Sequence, residues 1–204
     1  MIFISRKRRE WFPGAMYHIM NRGGRHQEIF RDEDDYRYFL DLLEAVQVQY
    51  GLVVHAYCLM TNHYHLLVST GEEPIWKCMK VIDQLYSMHF NWRHGLDGPL
   101  FRGRYHSIIV KTDPYFIQTS RYIALNPVKA GIVNRPEDYK WSSYKTLVGL
   151  ADDHITDVTK TWDYFAEPQS VGYRNFIENN NPDPKTEEEI RGKMGENKLW
   201  LPNE

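Results

Sequence analysis

The chain has 204 residues, 42% of them hydrophobic and 25% charged, with only two cysteines and a formal charge of −2. This balance fits one domain with a sizeable core, or one domain plus an appendage, and it excludes a disordered chain or a disulfide scaffold. No run approaches the length of a membrane span and no apolar signal core follows the first charges, so a reducing cytoplasm is the expected setting. The charge is uneven. Residues 1–149 carry 19 Lys and Arg against 15 Asp and Glu, whereas residues 150–204 carry 6 against 12. A basic working domain over 1–149 and an acidic, partly helical extension over 150–204 are expected.

Arg6, Lys7, Arg8 and Arg9 form a basic arm, suited either to phosphate contact or to a solvated terminus. Ala15 to Asn21 alternates as a first strand. Asp32 then opens a helix whose Tyr36, Phe39, Leu40, Leu43 and Val46 recur at three- and four-residue steps until Gly51. Leu52 to Met60 is almost continuously apolar, as in a strand covered on both faces. Thr61-Asn62 makes a tight turn, and His63 to Ser69 returns as its hairpin partner. Pro74 opens a second helix that stops near Gly95. Arg104 to Lys111 is a fourth strand. Asp113-Pro114 starts a third helix, read as ending at Asn126 because proline follows. Short helical pieces around Trp141–Val148 and over 151–180 come next. From Asn179 the composition favours loose order, except where Trp200-Leu201 docks.

The first six elements run β-α-β-β-α-β, the order of a ferredoxin-like antiparallel sheet in an α+β fold. Because side chains alternate along a strand, His63 and His65 point to one face and Tyr64, Leu66 and Val68 to the other. Two imidazoles on one face can bind a metal ion. On the third helix, Tyr115, Gln118, Thr119, Tyr122 and Asn126 share one stripe. Tyr122 and Asn126 stand one turn apart near its end, with Tyr115 a second candidate nucleophile. His18, His55 and His106 read as hydrogen-bonded sheet residues, His106 with a possible place near the site.

Four segments resemble the single-tyrosine HUH transposases, and among them the IS200-like and REP-associated tyrosine transposases. They are Tyr17-His18-Ile19-Met20-Asn21-Arg22-Gly23, Met60 to Val68, Phe101-Arg102-Gly103-Arg104-Tyr105, and Arg121 to Gly131. The resemblance implies that Tyr122 is the nucleophile, that His63, His65 and Asn126 bind Mg²⁺ or Mn²⁺, and that the substrate is single-stranded or hairpin DNA. It also implies cleavage through a 5′-phosphotyrosine, carried out by a monomer or homodimer in a bacterial cytoplasm. Arg22, Arg102, Arg104 and Lys129, with the basic arm, are the expected phosphate contacts. Trp11, Phe12, Trp92 and Phe101 are candidate platforms for stacked bases. The alternative is a non-catalytic nucleic-acid-binding relative on the same fold.

Overall fold

The fold comes from a computed structural model that describes residues 10–179 and 184–195. Four antiparallel strands form one sheet: β1 (Met16–Arg22), β2 (Val53–Met60), β3 (His63–Ser69) and β4 (His106–Val110), in the order β2-β3-β1-β4. Helix α1 (Glu33–Tyr50) links β1 to β2, and α2 (Ile75–His94) links β3 to β4. This is the expected ferredoxin-like order. After β4 come α3 (Asp113–Lys129), α4 (Tyr144–Leu147), α5 (Thr159–Trp162), α6 (Gln169–Glu178) and α7 (Pro184–Gly195).

Local chemistry explains the boundaries. The Asp32 carboxylate accepts from the amides of Asp34 and Asp35, capping α1 beside three acidic residues in its first turn. Gly51 ends that helix at φ 65°, in the left-handed region where glycine avoids a Cβ clash. Thr112, rather than Asp113, caps α3 by accepting from the Tyr115 amide. Proline at 127 does not end this helix, which continues to Lys129. Only the bond from position 127 back to Ile123 is lost, and the last turn is closed by Ala130 donating to Asn126 and Ile132 to Pro127.

Strand alternation divides the core in two. Tyr17, Ile19, Tyr64, Leu66 and Val68 pack with Phe39, Leu43, Met79, Ile82 and Tyr86 under α1 and α2. Met20, Cys58, Met60, Leu67 and Ile108 face the other way and pack under Phe116, Ile123 and Ala124 of α3. Each fully buried side chain of this size contributes roughly 1.5–3 kcal/mol of transfer free energy. Both cysteines are free and buried.

The C-terminal extension braces the back of α3. Tyr173, Ile177 and Ile190 join the second cluster. The Ser120 hydroxyl and the Tyr173 hydroxyl share a hydrogen bond of 2.8 Å, and Arg121 donates to the carbonyls of Ile177 and Asn179. Helix α7 lies where composition suggested loose order. Its exposed acidic face hid a seat for Ile190, which is 1% exposed. Trp200, Leu201 and the arm Arg6–Arg9 lie outside the described residues. Among the described residues no helix is long and apolar enough to cross a membrane.

Candidate active site

The site is built on β3, where the hairpin turn ends. His63 pairs in register with Arg22 of β1 and Met60 of β2, and His65 with Met20 and Cys58. Period two carries both imidazoles to the α3 side, while Tyr64 between them goes through to the α2 side and donates to Asp83 at 2.7 Å. Helix α3 crosses the histidine face. The Tyr122 ring stands edge-on to His65, with centroids 5.6 Å apart, and 6.1 Å from His18. One turn later the Asn126 side chain hydrogen-bonds His63. The Lys129 ammonium lies 5.3 Å from the centre of the Tyr122 ring. The structure therefore brings His63, His65, Tyr122, Asn126 and Lys129 together, with the tyrosine against the histidines of its own chain.

Tyr115 takes another path. It is buried in the second cluster, with Lys193 of α7 over its ring at 4.5 Å. The stripe reasoning made it a second candidate nucleophile on the face of Tyr122, but two helical turns separate the two tyrosines.

His18, read from the sequence as a hydrogen-bonded sheet residue, is one, and its partner is a histidine of the site. The His18 Nε2 lies 3.0 Å from His65 Nδ1. The signal was cross-strand: His18 pairs with Leu67, two residues from His65 on the same face, which is visible only once β1 and β3 are in register. His55 is structural, bonded to the Ser69 hydroxyl at 2.9 Å and edge-on to Phe116. His106 pairs with Met20 on β4, and its charge helps to depress His18.

Burial dominates the electrostatics. It lowers His18 to about 3, with His106 adding to the effect. It lowers His63 to about 4, opposed by the Asn126 hydrogen bond and aided by Arg22. It holds His65 well below the ordinary imidazole range, with His63 and His18 adding. All three rings are thus neutral at pH 7, each with one lone pair; that of His18 accepts from His65, leaving His63 and His65 as the candidates for a cation. The Asn62 side-chain Oδ1 lies 2.7 Å from His63 Nδ1, so that nitrogen donates and Nε2 carries the lone pair. When His65 Nδ1 donates to His18, its Nε2 is likewise open. Two neutral imidazoles and an amide oxygen fit a divalent ion that keeps room for phosphate and water.

A second polar group does not fit. Asp32, Asp35 and His94 come within reach of one another on the α1–α2 side, but the Arg93 guanidinium already bonds both carboxylates. The cation of that cluster is arginine.

Of the expected phosphate contacts, Arg22 lies beside His63, and burial with the nearby Arg102 lowers its pKa. The Arg102 amide donates to the Arg22 carbonyl at 2.9 Å, and the Arg102 and Arg104 side chains are exposed. Trp11, Phe12 and Trp92 are exposed, whereas Phe101, expected at the surface, is buried in the first cluster. Its backbone bridges to Gly23, which turns the ring inward.

The family described as "Transposase IS200 like" matches residues 12–126, more than half of the chain and the whole stretch from β1 through Asn126. The chain belongs to the IS200-like transposases. This transposase shares its fold with a REP-associated tyrosine transposase solved bound to a REP hairpin. The TM-score is 0.61 at 17% identity, covering 76% of this chain and 98% of that one. A candidate transposase from Deinococcus radiodurans aligns with a TM-score of 0.41 at 20% identity, over 58% of this chain and 95% of that one. No curated protein matches the sequence.

Proposed function

We propose that this transposase is a metal-dependent single-strand DNA endonuclease and strand transferase that cuts beside a hairpin and retains the 5′ end on Tyr122. The observation that carries the reading is the Tyr122 ring against His65, with Asn126 on His63 one turn away. The hairpin-bound relative of the same fold supports the substrate class.

His63, His65 and Asn126 would hold Mg²⁺ or Mn²⁺. Such an ion, when bound, polarises the scissile phosphate and offsets the charge that develops on it. The protein's own part is nucleophile, positioning and phosphate binding. The Tyr122 oxygen attacks phosphorus in line, and the bond from phosphorus to O3′ breaks. The phenol loses its proton and the leaving O3′ gains one, so the products are a 5′-phosphotyrosine and a free 3′-OH. The link conserves the phosphodiester, and a 3′-OH reverses the attack to join strands without a nucleotide cofactor. A free phenol has a pKa near ~10. The Lys129 ammonium, 5.3 Å from the ring centre, places a positive charge beside the attacking tyrosine. Arg22, Arg102 and Arg104, with Arg6, Lys7, Arg8 and Arg9, bind the DNA backbone. The contact of Tyr122 with the histidines of the same chain supports a site built within one protomer.

The test is a cleavage assay on end-labelled hairpin DNA with unpaired flanks, with and without Mg²⁺ or Mn²⁺. Cleavage that needs the ion and is lost in His63→Ala with His65→Ala supports the proposal. Binding without cleavage under either ion would favour a non-catalytic relative instead.

A further inference from the structure

A cavity of about 1130 Å³ opens on the side of the sheet away from Tyr122, between α2 and the segment 99–105. It exceeds the ~300–1,000 Å³ typical of ligand pockets. The cleavage chemistry proposed above makes no use of it. We propose that this cavity receives an unpaired base from the single-stranded flank of the DNA substrate, stacked on Trp76 and read at its edge by Asp83. The inference rests on the proposed action on single-stranded DNA and adds a second binding site to it.

The walls are aromatic. Trp11 and Trp76 line the cavity while remaining 38% and 53% exposed. Tryptophan held open to solvent at the mouth of a cavity offers a stacking surface, and every base has a π-face to lay on it. The floor is polar. Asp83 accepts from the Tyr64 hydroxyl at 2.7 Å and from the Asn21 amide at 3.0 Å, one bond on each carboxylate oxygen. Each oxygen keeps a second acceptor position, and Asp83 lines the cavity. When the carboxyl is ionised, its two neighbouring acceptors match the adjacent N1–H and amino donors of guanine best, can take the single amino group of adenine or cytosine, and suit thymine least, where two carbonyls flank one N–H. Burial lifts the Asp83 carboxyl to about 7, against the pull of those two hydrogen bonds, so the two-acceptor form prevails above that pH, where the binding comparison is made. The rim is basic: Lys80 and Arg104 line the same opening and suit the phosphates on either side of a captured base.

The position also fits. Asn21 and Tyr64 are register partners across β1 and β3, so Asp83 lies one sheet thickness behind the strand that carries His63 and His65. Arg22 flanks His63, its carbonyl accepts from Arg102, and Arg104 follows at the cavity. These arginines form a phosphate-binding path around the end of the sheet, from the tyrosine face to the cavity mouth.

The experiment measures fluorescence anisotropy with the full chain carrying Tyr122→Phe, so that covalent capture does not contribute. The probes are four labelled DNA hairpins with one stem and 5′ flanks of about six dA, dC, dG or dT, a length within the site sizes of single-strand binders. A hairpin without a flank is the control. At least one amino-bearing flank should bind about tenfold tighter than the dT flank. Adding Trp76→Ala should weaken that flank about tenfold, and Asp83→Asn should erase the preference over dT, while the flankless hairpin binds all variants alike. Trp76 is half-exposed, so its replacement does not threaten the fold and serves as the decisive variant. Wild-type affinities for all four flanks in Trp76→Ala would overturn the cavity assignment alone. No affinity of the Tyr122→Phe chain for any hairpin would overturn the DNA reading and the cavity with it.

Discussion

His18 Nε2 lies 3.0 Å from His65 Nδ1, and this contact decides which nitrogen of His65 is open to a cation. If His65 donates, its Nε2 is a lone pair facing the site. If His18 donates, that nitrogen must carry the proton and cannot ligate. Partners of this kind set the tautomer of metal-binding histidines, and their loss typically costs ~10–100-fold in metal affinity. His18→Leu should therefore weaken Mn²⁺ binding and cleavage by about 10–100-fold. His18→Gln, which keeps an acceptor, should recover part of both. Metal titration by isothermal calorimetry beside the cleavage rate checks this, and equal Mn²⁺ affinity in His18→Leu and wild type would refute it.

The depressed histidines have a consequence for stability. Unfolded imidazoles titrate near ~6.5, while His18 titrates at about 3 and His55 and His63 at about 4 in the folded chain. The unfolded state therefore binds more protons over that interval, and stability must fall as pH drops from ~6.5 toward 4. His55 stands apart from the tyrosine site, so it tests this cleanly. In urea titrations at pH 7 and pH 5, His55→Gln should lose less stability on acidification than wild type. An equal loss would show that His55 titrates as a free imidazole.

Asp83 has the opposite sign. Its pKa is raised to about 7, so the folded state holds a proton that the unfolded chain releases near 4. The stability it contributes is complete below the unfolded value and is lost as pH rises to about 7. Asp83→Asn should therefore gain melting temperature relative to wild type between pH 5 and pH 8. A difference that stays constant across those conditions would mean that Asp83 ionises as an ordinary carboxylate.

Arg121 tests the brace behind the tyrosine helix. It donates to the Ile177 and Asn179 carbonyls at the end of α6 and lies over the Phe176 ring. Arg121→Met should cost about 2 kcal/mol, the scale of hydrogen bonds made by a charged donor. Amide exchange over 169–179 should accelerate before that of β1 and β3. Unchanged protection there would show that the extension is held without it.

Much of this arrangement was legible in the chain. The apolar runs on either side of Thr61-Asn62 defined a hairpin, and period two then put His63 and His65 on one face. Helical spacing placed Asn126 one turn from Tyr122. What stayed hidden depended on tertiary register. His18 meets His65 only because β1 pairs with β3, and Phe101 is buried because its backbone bridges to Gly23. The Asp83 cavity is assembled from three segments far apart in sequence, around Trp11, α2 and 99–105. Pro127 misled because the rule against proline in helices weighs least in a last turn, where few bonds remain to be broken. Helix α7 escaped notice because, among its described side chains, Ile190 alone is buried and it stands in a run of charges.

The central claim is that the Tyr122 oxygen becomes joined to DNA. The most direct measurement incubates the protein with 5′-labelled and 3′-labelled hairpin DNA and Mn²⁺, then separates the products on a denaturing gel. Wild type should give a protein–DNA band that retains the label of the fragment carrying the new 5′ phosphate, with the other fragment released bearing a 3′-OH. Tyr122→Phe should give neither the band nor the free fragment. A covalent band of unchanged intensity in Tyr122→Phe would contradict the account.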